Sequence, residues 1–453
     1  MKQYTCFSPR ASLAILGQQT QKWEIWKTIG EHVQIHQKTV SHTPLEKLQD
    51  AWIGILAGGH GMVEINTRVR PDRGLQLAFG RKQCAEQSTV SQTLTACTQE
   101  NVQQLRQALL LLFQTHSQAF SHPYLQQDLE VDVDMSGLTS GKKAEGASKG
   151  YFAGQKNRRG RQLGRALASQ YGEVICEQLY PGTVQLEGSL QHLVLRMEDV
   201  LAVNSAQRKH IILRVDGGGG RDADVNWLLE RGYGILIRVR QWQRARNLAK
   251  RVQTWYVDPQ DPQREWGQVE EPFTYKRPTR QIAVRYRKSD QSWTYRVLVT
   301  NLSDEQLFYM ARQPMSAVPT PPEVLFAAVI AYDLRGGGVE TSLRQSKQGM
   351  GLNKRNKKSF HAQEMLVLLA QLAYHLLLWV RHQLSQHHSQ WRAWGILRMV
   401  RDVCAIPGKL QFDKDCSLIQ VVLNRNHPLA GLLQRTYLPF CQEQGLSLIL
   451  RKI

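Results

Sequence analysis

The stretch His210-Ile-Ile-Leu-Arg-Val-Asp216 constrains the fold more than any other part of this chain. The run is short and mostly apolar, as in a buried strand, and it stops on an acid. Gly217 to Gly220 follow and suit a turn where backbones approach closely. A helical segment from about Ala223 to Arg231 comes next, then an apolar strand from Tyr233 to Val239. Upstream, Leu129-Glu-Val-Asp132-Val-Asp134-Met-Ser136 alternates apolar and acidic residues, which is the period of a strand. Further short strands are expected at Lys149–Ala153, Gln162–Gln170 and Glu173–Tyr180, with an amphipathic helix at Leu190–Val203. The order predicts a mixed α/β sheet. Acids at the ends of adjacent strands then lie together at one edge of it.

A third acid stands in Tyr332-Asp-Leu-Arg335-Gly-Gly-Gly-Val-Glu340-Thr-Ser-Leu-Arg344-Gln-Ser-Lys347. Three glycines precede Val339 and no breaker falls between Glu340 and Lys347, so a helix is expected from Val339 onward. Positions four and seven apart share a helix face, which aligns Glu340, Arg344 and Lys347. A carboxylate followed by two cations suits a metal-assisted phosphate site, the acid holding the ion and the cations the DNA backbone. A solvated salt-bridge ladder is the plainer alternative.

Charge favours the first reading. The chain has 453 residues, with 58 Lys plus Arg against 38 Asp plus Glu, a net of +20. Such an excess points to a polyanionic partner, most often nucleic acid. Basic runs flank the acids: Lys142, Lys143, Lys149, Lys156, Arg158, Arg159, Arg161 and Arg165 after Asp134, then Arg238 to Arg251, then Lys354 to Lys358. Seven scattered cysteines include no CxxC pair and argue against a disulfide framework, consistent with a reduced cytoplasm. The first residues lack the apolar core of a signal peptide. Met365 to Val380 is apolar but interrupted by Gln371 and His375, and reads as part of a buried helix at 361–384. Gly217 to Gly220 lack the Lys-Ser/Thr of a phosphate loop, so nucleotide hydrolysis is not expected.

The expected organisation begins with an arm over residues 1–43, poorly ordered to about residue 40. A helical region over 44–124 follows; its segment Ala85 to Leu94 is similar to the second helix of a helix-turn-helix. The α/β core is expected over 125–244 and 301–390, interrupted by a β-rich insertion at 245–300, with a C-terminal region over 391–453. Trp242, Trp255, Trp266 and Trp293 lie in or beside the insertion and are expected to form its small core, with base stacking as the alternative.

Asp134, Asp216 and Glu340, in that order, resemble the acids of the ribonuclease H-like core of DDE transposases. The set Tyr332, Arg335, Glu340 and Lys347 resembles the Tyr-Arg-Glu-Lys signature of cut-and-paste insertion-sequence transposases. Bacterial members of that group also carry a β-rich insertion between the second Asp and the Glu. The resemblance spans roughly 125–385. It implies two Mg²⁺ ions, with Mn²⁺ as a substitute, held by Asp134, Asp216 and Glu340. It also implies cleavage at the ends of an element, strand transfer into target DNA, a homodimer on the DNA, and a nucleoid-associated location in the cytoplasm with no membrane. Tyr332, Arg335, Arg344 and Lys347 are the expected DNA contacts, joined by Lys142, Lys143, Arg158, Arg159 and Arg161. A nuclease without strand transfer and a domesticated DNA-binding protein are the alternatives.

Two points depart from the pattern. The family usually has three residues between the Arg and the Glu, and this chain has four, Gly336 to Val339. A continuous helix would turn Arg335 away from Glu340, but the glycines allow a loop there instead; Arg335 is expected to act from that loop, with a smaller role than Lys347. Asp132 shares a strand face with Asp134 and is the alternative first acid. The family commonly has Thr or Ser two residues after the acid, and Ser136 therefore favours Asp134.

Overall fold

The computed structural model describes residues 4–152 and 157–452. Ala153 and Lys156 therefore lie outside the described residues. The chain divides into two compact units, each built from segments far apart in sequence. One unit comprises Met1–Ser117, Leu138–Ala147 and Leu343–Ile453; the other comprises Gln118–Gly137 and Ser148–Ser342.

Fourteen strands are described. They are β1 (Tyr4–Ser8), β2 (Leu129–Thr139), β3 (Ser148–Lys149), β4 (Arg159–Ala168), β5 (Glu173–Pro181), β6 (Ile211–Val215), β7 (Gly234–Arg238), β8 (Tyr256–Val257), β9 (Arg264–Gln268), β10 (Arg280–Arg287), β11 (Trp293–Thr300), β12 (Gly408–Phe412), β13 (Leu418–Asn424) and β14 (Ser447–Arg451). The second unit is a mixed α/β structure around one large sheet, ordered β3-β4-β2-β6-β7-β11-β10-β9-β8, with β5 also paired to β4. β2, β6 and β7 run parallel, and β5 is antiparallel to β4. Helix Leu190–Leu201 connects β5 to β6, and Asp222–Glu230 connects β6 to β7. The Val, Ile and Leu of β6 and β7 are buried, as strands covered on both faces require.

The expected insertion is part of this sheet. β11 pairs antiparallel with β7, and β10, β9 and β8 extend it outward. Its core is not its own either. Ile282, Val284, Leu298 and Trp266 share one apolar cluster with Val324, Leu325 and Ala328 of helix Pro321–Asp333. Trp266 stacks on Phe326 of that helix, with ring centroids 4.7 Å apart. Of the four tryptophans only Trp266 is a core residue. Trp242 is exposed, while Trp255 and Trp293 sandwich the Arg285 guanidinium at 4.1 and 4.4 Å. Local periodicity identified the strands; the long-range pairing that joins them to β7 leaves no mark in it.

The first unit corrects the expected N-terminal arm. β1 pairs with β12 in the sheet β1-β12-β13-β14, and helices Ala11–Lys22 and Ile25–His32 bury Leu13, Ile15, Leu16, Ile25 and Ile29. Pro44–Leu56 begins on a capping box of Thr43 with Glu46, and Gln99–His116 on one of Thr98 with Asn101. Phe360–His387 is long and apolar enough to cross a membrane, yet its apolar window is wholly buried within the protein. The expected recognition helix is Gln87–Ala96, and most of its hydroxyls are engaged within the unit. Thr93 is buried and donates to Gln37 at 2.6 Å, Thr89 donates to the Glu86 carbonyl at 2.8 Å, and Ser91 accepts from Lys357 at 2.6 Å.

Candidate active site

Three elements of the second unit bring the acids together. Asp134 lies on β2, Asp216 directly follows β6, and Glu340 opens helix Val339–Gln348. In the β2–β6 register Asp132 faces Arg214 and Val133 faces Val215, so Asp134 and Asp216 come next in line on neighbouring strands. The turn Gly217–Gly219 after Asp216 is a tight 3₁₀ turn, capped by the Asp216 carboxylate through the Gly217 amide at 2.6 Å. A side chain at Gly217 would press on Arg238, its Cβ 2.7 Å from Nε, which accounts for glycine there.

Arg335 sits among the acids. Its guanidinium lies 3.2 Å from Asp134 Oδ2, 2.7 Å from Glu340 Oε1 and 4.0 Å from Asp216 Oδ1. Of the two courses open at the extra residue, the structure takes the turn, and Arg335 keeps its contact with Glu340. The chain does not run as one helix through both; a 3₁₀ turn at Leu334–Gly336 precedes the helix and brings the two side chains together.

Asp216 has two more partners: Arg238 Nη2 at 2.9 Å and the Tyr332 hydroxyl, which donates to it across 3.3 Å. Side-chain exposure rises from 16% at Asp134 to 32% at Asp216 and 54% at Glu340, so the cluster opens to solvent on the Glu340 side. Burial raises the Asp134 carboxyl above its usual range, with the Arg335 charge opposing that shift. Burial likewise raises the Tyr332 hydroxyl, and Asp216 adds to the effect, so this tyrosine remains a neutral donor.

Among the described residues, no three His, Cys, Asp or Glu side chains close around one point at metal-binding distance. The donor set nonetheless fits a hard divalent cation. It consists of three carboxylates without imidazole or thiolate, already gathered about one positive charge.

Asp132 is placed differently. It is fully buried, takes both arms of the Arg214 fork at 2.6 and 3.2 Å, and accepts from Ser169 Oγ at 2.6 Å. Lys142, Lys143 and Arg158 are exposed and Arg159 is half-buried. Arg161 corrects the expected basic run: it is 1% exposed inside β4 and does not face solvent as a phosphate contact would. Arg165 is buried as well, paired with Glu177 and donating to Ser342 Oγ at 2.5 Å. Arg355 and Lys357 are buried while Lys354 and Lys358 are exposed, so only alternate members of that run face outward. Arg344 is exposed and Lys347 half-buried on helix Val339–Gln348, in the part of it that belongs to the first unit.

Sequence reading passed over Arg214 and saw Arg238 only as the start of a basic run. The available signals were a charge inside the apolar strand Ile-Ile-Leu-Arg-Val, which demands a buried partner, and a cation ending the strand beside the one that ends at Asp216.

Comparison with known proteins completes the picture. No curated protein sequence matches the chain significantly. Among solved structures it is similar to piggyBac transposase in a synaptic complex with hairpin DNA, at 13% identity and a TM-score of 0.47, over 89% of this chain and 82% of that one. A family model described as Transposase DDE domain group 1 matches from residue 7 to residue 437 and so takes in all three acids. The chain therefore belongs to the DDE transposase family.

Proposed function

We propose that this chain is the transposase of a bacterial insertion sequence, cutting DNA at the element's ends and joining those ends to target DNA. The observation that carries the reading is the gathering of Asp134, Asp216 and Glu340, from three separate elements, around Arg335. The strand order β5-β4-β2-β6-β7 supports a ribonuclease H-like core, since it sets the first acid on the central strand and the second beside it. DDE transposases use divalent metal ions, and here Mg²⁺ is the ion proposed, with Mn²⁺ able to replace it.

Asp134, Asp216 and Glu340 would hold the metal, which supplies electrostatic stabilisation of charge at the attacking and leaving oxygens. The protein's own groups do the rest. Arg238 and the Tyr332 hydroxyl fix the orientation of Asp216. Arg335 offers a cation to a phosphate that enters on the exposed Glu340 side. Arg344 and Lys347, with Lys142, Lys143, Arg158 and Arg159, hold the DNA backbone.

In the first step water adds to the phosphorus at the element's end, the P–O3′ bond breaks, and the 3′-oxygen leaves with a proton as a hydroxyl. In the second step that hydroxyl adds to a target phosphorus and breaks a P–O3′ bond there, losing its proton as the new leaving oxygen gains one. Terminal inverted repeats and target DNA are the partners, and a homodimer would hold the two ends.

The test is cleavage of an end-containing DNA by Asp134→Ala, Asp216→Ala and Glu340→Ala proteins. Each should lose metal-dependent cleavage and retain fold and DNA binding. Near wild-type cutting by Asp216→Ala would reject the assignment. A dead Asp132→Ala beside an active Asp134→Ala would exchange the first acid.

A further inference from the structure

We propose that Arg214, clamped to Asp132, is a positioning residue that sets the mutual register of the three acid-bearing elements. The inference rests on the metal-site reading above. Arg214 is 2% exposed and lies on β6 two residues before Asp216; Asp132 lies on β2 two residues before Asp134. Residues two apart on a strand share a face, so the pair and the two acids form consecutive rungs of one ladder. The strand register places Asp132 opposite Arg214 and Val133 opposite Val215, and extending it by one residue brings Asp134 and Asp216 to the next position on that face. Slipping the strands by one residue would break the ion pair and send one acid to the opposite face.

The third element is held by the same cluster. Arg214 Nη1 donates to the Ala331 carbonyl at 2.9 Å, immediately before Tyr332 and the turn that carries Arg335. Gly338, two residues before Glu340, lies against the carboxylate: a Cβ there would overlap Asp132 Oδ2 and stand 3.2 Å from Ser169 Oγ. Asp132 is thus the surface on which the Glu340 helix starts. Arg214 further reaches Glu130 at 3.5 Å, and Glu130 in turn pairs with Arg312 at 2.7 Å. Buried ion pairs of this kind often add little stability over an apolar pair of equal volume, and their best-attested use is to specify register. Only the planar, forked guanidinium can meet both carboxylate oxygens and the carbonyl together; lysine cannot.

The test separates register from stability. In the double variant Arg214→Met/Asp132→Leu an apolar pair replaces the charged one, and its melting temperature should equal or exceed that of the wild type. Mn²⁺ binding, followed by electron paramagnetic resonance without DNA, should weaken at least about tenfold, the scale of one or two charge-assisted hydrogen bonds. Affinity for end DNA without metal should be unchanged. Should the double variant not fold, Arg214→Lys serves instead, with weaker Mn²⁺ binding still expected at a temperature well below its melting point. A folded variant that binds Mn²⁺ as the wild type does would overturn the inference and leave the metal-site reading standing. Wild-type protein that binds no Mn²⁺ would overturn both.

Discussion

Asp132 and Asp134 stand two residues apart on one strand and live in opposite conditions. Asp132 is closed off: both its oxygens are engaged by Arg214, Ser169 covers it, and Gly338 backs onto it. Asp134 shares a single guanidinium with two other acids in a cluster that opens toward solvent. Satisfied buried charges define geometry, whereas several carboxylates sharing too few cations are poised to take up another one. The contrast teaches that chemistry is found where charge compensation is incomplete, and structure where it is finished.

The strongest way to break this contrast is to remove each acid in turn. Asp134→Asn should lower cleavage by about a thousandfold or more, because one member of a cooperating set is missing. Its melting temperature should hold or rise, since the buried carboxylate is disfavoured there. Asp132→Ala should instead destabilise the fold by about 3–5 kcal/mol, because Arg214 is left buried and unpaired. Chemical denaturation beside a cleavage assay distinguishes the two, and equal effects from both variants would erase the distinction.

A smaller effect sharpens the role of Arg335. Its placement among the acids reverses the ranking expected from spacing alone, so Arg335→Ala should reduce cleavage roughly tenfold more than Lys347→Ala, as removal of a charge-assisted hydrogen bond implies. Single-turnover rates on pre-bound DNA would reveal it. Next in size is Gly338→Ala, which should cost about 1–3 kcal/mol by forcing a methyl group against Asp132. Thermal melts report it, and a neutral outcome would mean that Asp132 is not held tightly. Smallest is the effect of exchanging Lys142, Lys143, Arg158 and Arg159 for Gln. The slope of log affinity against log salt should fall by about 0.9 for each phosphate that the protein no longer neutralises. Arg161→Gln should lower stability and leave that slope alone, because its side chain is buried in β4.

Much of the site was legible because its signals are local. An acid at the end of an apolar strand, a glycine turn, and a helix starting four residues after Arg335 can each be read within ten residues. Expected and observed elements agree closely there: β6 at Ile211–Val215, the helix at Asp222–Glu230 and the Glu340 helix at Val339–Gln348. What escaped depends on partners distant in sequence. β11 gives no local sign that it will pair with β7, so the insertion read as separate. Residues 4–8 acquire strand form only against β12. Spacing alone does not decide whether the glycines before Glu340 form a helix or a turn, and so leaves the reach of Arg335 open; a run of charges likewise does not show that Arg161 faces inward.

The pairing of β1 with β12 has a consequence in time. Tyr4 pairs with Phe412 and Ser8 with Gly408, among the widest sequence separations any sheet in this protein must close. At ribosomal rates of about 5–20 residues per second, β1 emerges tens of seconds before its partner exists. Through that interval residues 4–8 lack their strand partner, and they carry Tyr4 and Phe7, side chains about half exposed even in the finished fold. An open edge of this sort invites pairing with other chains. A chain cut short before β12 leaves residues 4–8 without their partner, so incomplete copies should aggregate more readily than full-length ones, in which β1 keeps only its outer edge free.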